Sequence, residues 1–203
     1  MRGPGLHFFA LATGLLLAGA PLPGRSQEGG TVHAEEGNVL KAKFLAKVCA
    51  FVDWPPTSTV PDLSRPFVIG ILPGPPIPGE ERWEDSFVRA MREVFGATPL
   101  KQKKVILRNI ASAAELKECQ AVYVMPRARI GIPNLVRGTR PLHTLLFAQS
   151  DGFADLGVHL NFLVVDRHVR FEINEASFQD SGLKVDSLIL RTAIVVKRRE
   201  GKP

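Results

Sequence analysis

Hydrophobic and polar positions along the chain divide it into short segments whose periods differ. The clearest is the stretch from Gly157 to Asn174. Both of its halves alternate with period two around Asp166-Arg167, which predicts two strands joined by a tight turn. In the second half Val169, Phe171 and Ile173 share one face, and His168, Arg170, Glu172 and Asn174 share the other. Upstream, Leu40, Phe44, Leu45, Val48, Cys49, Phe51 and Val52 recur at helical spacing, so a helix is expected from about Glu35-Glu36. It must stop at Trp54-Pro55-Pro56, because proline lacks an amide hydrogen and disfavours helix in the residue before it. The run Phe67 to Leu72 is almost wholly apolar, as in a central strand covered on both faces.

The remaining pattern alternates strands with helices. An amphipathic helix is predicted over 80–95, ended by Gly96, and a short strand over Lys104 to Leu107. Ser112 followed by Glu115 has the form of a capping box for a short helix. Strands follow over 121–125 and 142–148, with a loop or short helix near 130–137 between them. After the hairpin, helices are expected over 175–181, ended by Gly182, and over 186–196. The expected fold class is therefore α/β. It is a three-layer sandwich, with a mostly parallel sheet, helices on both faces and a C-terminal antiparallel hairpin edge.

The N-terminus changes the domain count. Arg2, an apolar run from Leu6 to Ala20 and small residues up to Ser26 have the order of a secretory signal peptide. The run, at roughly 15 residues, is shorter than the about 20 that a membrane span needs. The expected organisation is a signal peptide at 1–26, a flexible segment at 27–34, one α/β domain at 35–197 and a basic tail at 198–203. The formal net charge is +6. Arg2 and Arg25 leave with the leader, so the mature surface is only mildly basic, and no basic stripe with interleaved aromatics suggests nucleic acid.

Candidate chemistry is sparse. Cys49 and Cys119 fit either one disulfide, which an exported protein can keep, or two buried thiols. His33, His143, His159 and His168 are scattered, and neither cysteine belongs to a Cys-x-x-Cys pair, so no metal site is expected. There is no nucleophile elbow, phosphate loop or paired-carboxylate motif, and the reading is of a protein that is not an enzyme and carries no cofactor. Binding is the stronger expectation. Trp54, beside its stiff turn, and Asp151, at the rim where α/β sheets bind ligands, are candidate ligand residues. Phe153, His168, Arg170, Glu172 and Asn174 are candidate partner-binding residues, although Arg170 and Glu172 could also pair with each other.

Several segments in order resemble one family. They are Lys41 to Leu45 through Phe51 to Pro55, then Pro66 to Leu72, Cys119 to Met125, Asp151-Gly152-Phe153 through Asn161-Phe162 to Val169–Asn174, and Ser181 to Val185. Together these resemble the YfiR family of exported proteins, also called DUF4154. The resemblance implies a non-enzymatic periplasmic regulator and homodimer. It implies repression of a membrane signalling protein, a diguanylate cyclase or a sensor kinase, through its exported domain. It also implies control by an outer-membrane lipoprotein and a link to cyclic-di-GMP and biofilm formation. A periplasmic module that senses a small molecule or redox state is the alternative. The chain departs from the family at the hairpin turn, where Arg167 stands in place of a usual glycine.

Overall fold

The computed structural model describes residues 28–74, 86–126, 128, 131–166 and 168–196, with side chains from Glu36 onward. The leader, most of the proline-rich spacer at 73–79, Trp83, Arg167 and the basic tail lie outside the described residues. So does the start of the expected 80–95 helix.

The first helix, α1, runs Glu28–Phe51. It starts earlier than the expected Glu35-Glu36 and takes in most of the segment read as flexible, since no proline interrupts 28–51. It hands over to a two-residue strand, β1 (Val52–Asp53), and then to β2 (Phe67–Leu72). Next come α2 (Ser86–Ala97), β3 (Val105–Asn109), a 3-10 turn over Ala113–Glu118, β4 (Ala121–Val124) and α3 (Ile132–Thr139). A second 3-10 turn, Arg140–Leu142, leads to β5 (Leu145–Ala148). The hairpin is β6 (Leu160–Val165) and β7 (His168–Asn174). The chain ends through α4 (Glu175–Asp180), β8 (Lys184–Val185), α5 (Ser187–Leu190) and β9 (Ile194–Val196).

Among the described residues the main sheet has seven strands in the order β3-β2-β4-β5-β6-β7-β9. β3 through β6 are parallel, β7 returns antiparallel to β6, and β9 lies parallel to β7. The α/β class, the mainly parallel sheet and the antiparallel hairpin agree with the sequence reading. The segment 186–196 does not. It is a short helix and then a strand, because Ile194, Val195 and Val196 are β-branched and suit a pleated edge better than a last helical turn. β1 and β8 form a second, antiparallel pair that local pattern did not reveal.

The strand period of two distributes the core. Phe67, Ile69, Ile71, Tyr123 and Phe147 face a cluster filled by Leu45, Val48 and Cys49 of α1 and by Phe87 and Met91 of α2. Val68, Val122, Val124 and Leu146 face the other cluster, with Leu116, Cys119, Ile132 and Leu135. Each face thus buries its own apolar layer at roughly 25 cal/mol per Å2. Gly70 is required on the second face: a Cβ there would sit 2.9 Å from Cys119 Sγ and 2.9 Å from Ile110 Cγ1.

One local expectation is corrected, and one open alternative is decided. Ser112 Oγ donates to Glu115 Oε1 at 2.9 Å and makes no cap to the backbone, so the capping box does not close and the turn stays 3-10. Cys49 and Cys119 are both free and buried, each in the cluster on its own side of the sheet. No bridge joins them, because the sheet lies between.

Candidate functional site

The hairpin outgrows the sheet that carries it. β5 pairs with β6 only at Leu160 and Asn161, and β9 pairs with β7 only at Glu172 to Asn174. Residues Phe162 to Val165 and His168 to Phe171 pair with each other, and among the described residues with no further strand. They form a two-stranded ribbon that stands beyond the carboxyl end of the parallel strands. Its apolar tip is open, with Val164 64% and Val165 43% exposed. Asp166 takes the positive φ of 50° at the turn, a conformation Asp tolerates better than most residues.

The base of the ribbon is fixed by polar side chains. Asn161 is fully buried: its Oδ1 accepts from the Ser150 N–H at 3.1 Å, and its Nδ2 donates to Glu172 Oε2 at 2.9 Å. Glu172 is therefore held by an amide, and the pair with Arg170 does not form. Asn174 is buried too. Its Oδ1 accepts from the Ser177 N–H at 3.0 Å to cap α4, and its Nδ2 donates to Ala154 O at 2.8 Å. Asn174 thus locks the 151–157 turn to the hairpin instead of facing outward. Phe153, on that turn, is half-buried against the second core cluster. His168 and Arg170 are the members of the predicted set that remain exposed, on the same ribbon face. His168 bonds its own turn through Nδ1 to Asp166 O at 2.7 Å.

A second polar network, missed from the sequence, ties α1 to the end of β5. Lys41 Nζ donates to Gln149 Oε1 at 3.0 Å, Gln149 Nε2 to the Tyr123 hydroxyl at 2.6 Å, and Asn38 Nδ2 to Ser86 Oγ at 2.8 Å. Asn38 and Lys41 sit on the buried side of α1, and polar residues recurring on an otherwise apolar helix face were the signal available. On the other side of α1, Phe44, Lys47, Val169, Arg170, Phe171, Leu188, Ile189 and Thr192 line a groove of about 350 Å3.

The two candidate ligand residues are not brought together. Trp54 stacks edge-on to Phe67, at 5.6 Å between centroids, where β2 begins. Asp151 follows the carboxyl end of β5 and is exposed, so the length of the sheet separates them. His159 is buried and used internally. The Leu146 N–H donates to its Nδ1 at 3.0 Å, leaving Nε2–H to donate to Ser181 Oγ at 2.7 Å. Burial lowers its pKa to about 4, so it is neutral at pH 7. Burial likewise raises the thiols, Cys49 to about 12 and Cys119 to about 11, which keeps both un-ionised and unreactive. Among the described residues no cluster of three His, Cys, Asp or Glu side chains could hold a metal. None of their helices is long and apolar enough to cross a membrane.

The family described as YfiR/HmsC-like, DUF4154, matches residues 38–194. The chain belongs to it. Members of the YfiR/HmsC-like family are periplasmic and regulatory, and the matched span runs from α1 into β9. No curated protein matches. Solved structures that are similar include a conserved domain protein from Vibrio cholerae O1 biovar El Tor, at 9% identity and a TM-score of 0.49. That match covers 79% of this YfiR-like chain and 60% of the Vibrio chain. Another is the ABC domain of a Streptococcus pneumonia protein in complex with L-Trp, at 14% identity and a TM-score of 0.42. It covers 64% of this chain and 55% of that one. The chain thus spans less than two thirds of the length of each.

Proposed function

We propose that this protein is a periplasmic regulator that binds the exported domain of a membrane signalling protein, a diguanylate cyclase or a sensor kinase, and holds it inactive. The observation that carries the reading is the ribbon: a doubly edged arm with an apolar tip, on which Arg170 is exposed and not paired with Glu172. An exposed guanidinium beside apolar contacts is a residue type enriched where proteins bind one another. Repression then follows from linkage. A regulator that prefers the inactive partner shifts it there, and a competitor that prefers the free regulator releases it. An outer-membrane lipoprotein as that competitor, and a homodimeric regulator, belong to the same proposal.

Cross-linking pull-down of the mature protein from membrane extracts tests it, with wild type and Arg170→Glu side by side. Recovery of a cyclase or kinase with an exported domain by wild type alone supports the reading. Equal recovery by both proteins, or recovery of no signalling protein, overturns it. A second reading, a small-molecule sensor, is favoured by the groove beside Arg170. Its redox version finds no support in two un-ionised thiols on opposite faces of the sheet.

A further inference from the structure

The last described segment of the chain ends in a three-residue strand, β9, that buries little of itself. From Ser187 to Val196, Ile189 is buried at 3% exposure and Leu190 and Ala193 pack partly buried against the first core cluster, while Leu188, Ile194 and Val195 stand 43%, 46% and 41% exposed. β9 meets β7 at three residues of β7's seven, in the register Glu172↔Ile194, Ile173↔Val195 and Asn174↔Val196. Beside the rest of β7 a groove opens, with Leu188, Ile189 and Thr192 on one side, Val169 to Phe171 on the other, and Phe44 and Lys47 of α1 completing the wall. A strand that buries so little apolar surface is held mainly by backbone pairing, and such elements open locally at low cost.

We propose that residues 187–196 are a displaceable strap, and that β7 beneath them is a strand-addition site for an extended, β-branched segment of the regulated partner. The strap itself shows what the edge accepts: an Ile-Val-Val strand, parallel to β7. With the strap lifted, the free edge at His168 to Phe171 becomes continuous with Glu172 to Asn174, and a seven-residue edge can pair along its whole length. An incoming strand of that length gains ladder contacts that β9 cannot make. Binding is then competitive with the chain's own C-terminal strand, which makes the strap a built-in inhibitor of docking. The identity of the natural occupant rests on the regulator reading above, but the displaceability of the strap does not.

The test uses the full mature chain and, as probe, a fluorescein-labelled peptide copying residues 186–196. Three proteins are compared by anisotropy: wild type, Val196→Pro, and the double variant Glu172→Cys with Ile194→Cys. Registered residues on adjacent strands lie about 4.8 Å apart, within disulfide reach, so oxidation locks the strap and reduction frees it. Saturable peptide binding to wild type is expected. It should tighten about tenfold in Val196→Pro, whose own strap has lost the ladder hydrogen bond that the Val196 N–H makes to β7 in the Ile173↔Val195 register, a difference of about 1.4 kcal/mol. Binding should vanish in the oxidised double variant and return on reduction, which controls for the loss of the Glu172 carboxylate. Hydrogen exchange adds a reading without substitutions: strap amides should exchange well before those of β2, β4 and β5. Peptide that binds the locked and reduced forms equally, or fails to bind Val196→Pro, overturns the proposal, as do strap amides as slow as the central strands. The pull-down above fails or succeeds separately.

Discussion

His159 shows how a residue type associated with chemistry becomes structural. Its ring closes a chain from the Leu146 N–H through Ser181 Oγ to the carbonyl of Ser177, and Phe178 meets it edge-on at 5.0 Å. Its pKa is about 4 in the fold and about 6.5 in an unfolded chain. Between those values the unfolded state binds more protons, so stability is fully present above pH 6.5 and is lost as pH falls towards 4. The loss is on the order of 3 kcal/mol across that window. Denaturant midpoints at pH 7.5 and pH 4.5 check this; the drop should shrink in His159→Gln, and an equal drop in that variant would contradict it. A second residue-scale outcome concerns the turn between Leu100 and Lys103, where Lys101 (φ 50°) and Gln102 (φ 62°) both adopt left-handed backbone. Lys101 is kept there by a 2.8 Å bond from Nζ to Ala50 O at the end of α1 and by its place over the Trp54 ring. Gln102→Gly should raise the urea midpoint, a net gain of about 0.5 kcal/mol after the added freedom of the unfolded glycine is offset. An unchanged or lower midpoint would show that the turn carries no strain. Neither feature was visible as a motif: His159 occupies an ordinary strand-entry position, and Lys101-Gln102 lacks the glycine that marks such turns.

Elements were legible where their own residues decide them. β2 is a continuous apolar run and β7 alternates strictly, so both strands could be read from their own residues. β1, β8 and β9 could not, because two- and three-residue strands exist only through partners distant in sequence. The 186–196 segment misled because Leu188, Ile189 and Leu190 do begin a helix, capped where the Asp186 carboxylate accepts from the Leu188 N–H at 2.7 Å. The hairpin's base depends on two buried asparagines, Asn161 and Asn174, and the alternating pattern placed Asn174 on a polar face without revealing its depth. Asn174→Ala removes a helix cap and the bond to Ala154 O together. It should cost about 1–2 kcal/mol in unfolding experiments and raise hydrogen exchange in the 151–157 turn. A loss under half of that, with the turn's exchange unchanged, would mean that the loop is held by Phe153 packing instead.

At the scale of the molecule, the candidate site became clear only once the strands were in order. The polar face of β7 divides: Glu172 and Asn174 turn inward to brace the fold, and His168 and Arg170 stay exposed. Arg170→Ala should therefore leave the melting temperature within about 1 °C while weakening partner capture, since surface changes away from packed features stay within about 0.5 kcal/mol. A large fall in melting temperature would reassign Arg170 to the scaffold. The same architecture has a consequence for the two cysteines. Each thiol is shielded inside its own layer, and the sheet between them makes a bond between Cys49 and Cys119 incompatible with the native topology. In an oxidising compartment the unfolded chain has no such barrier, so a bond formed there would trap it outside the fold. Burying both sulfurs before an oxidant reaches them is then a race during maturation, won by whichever is faster, closing the sheet or joining the thiols.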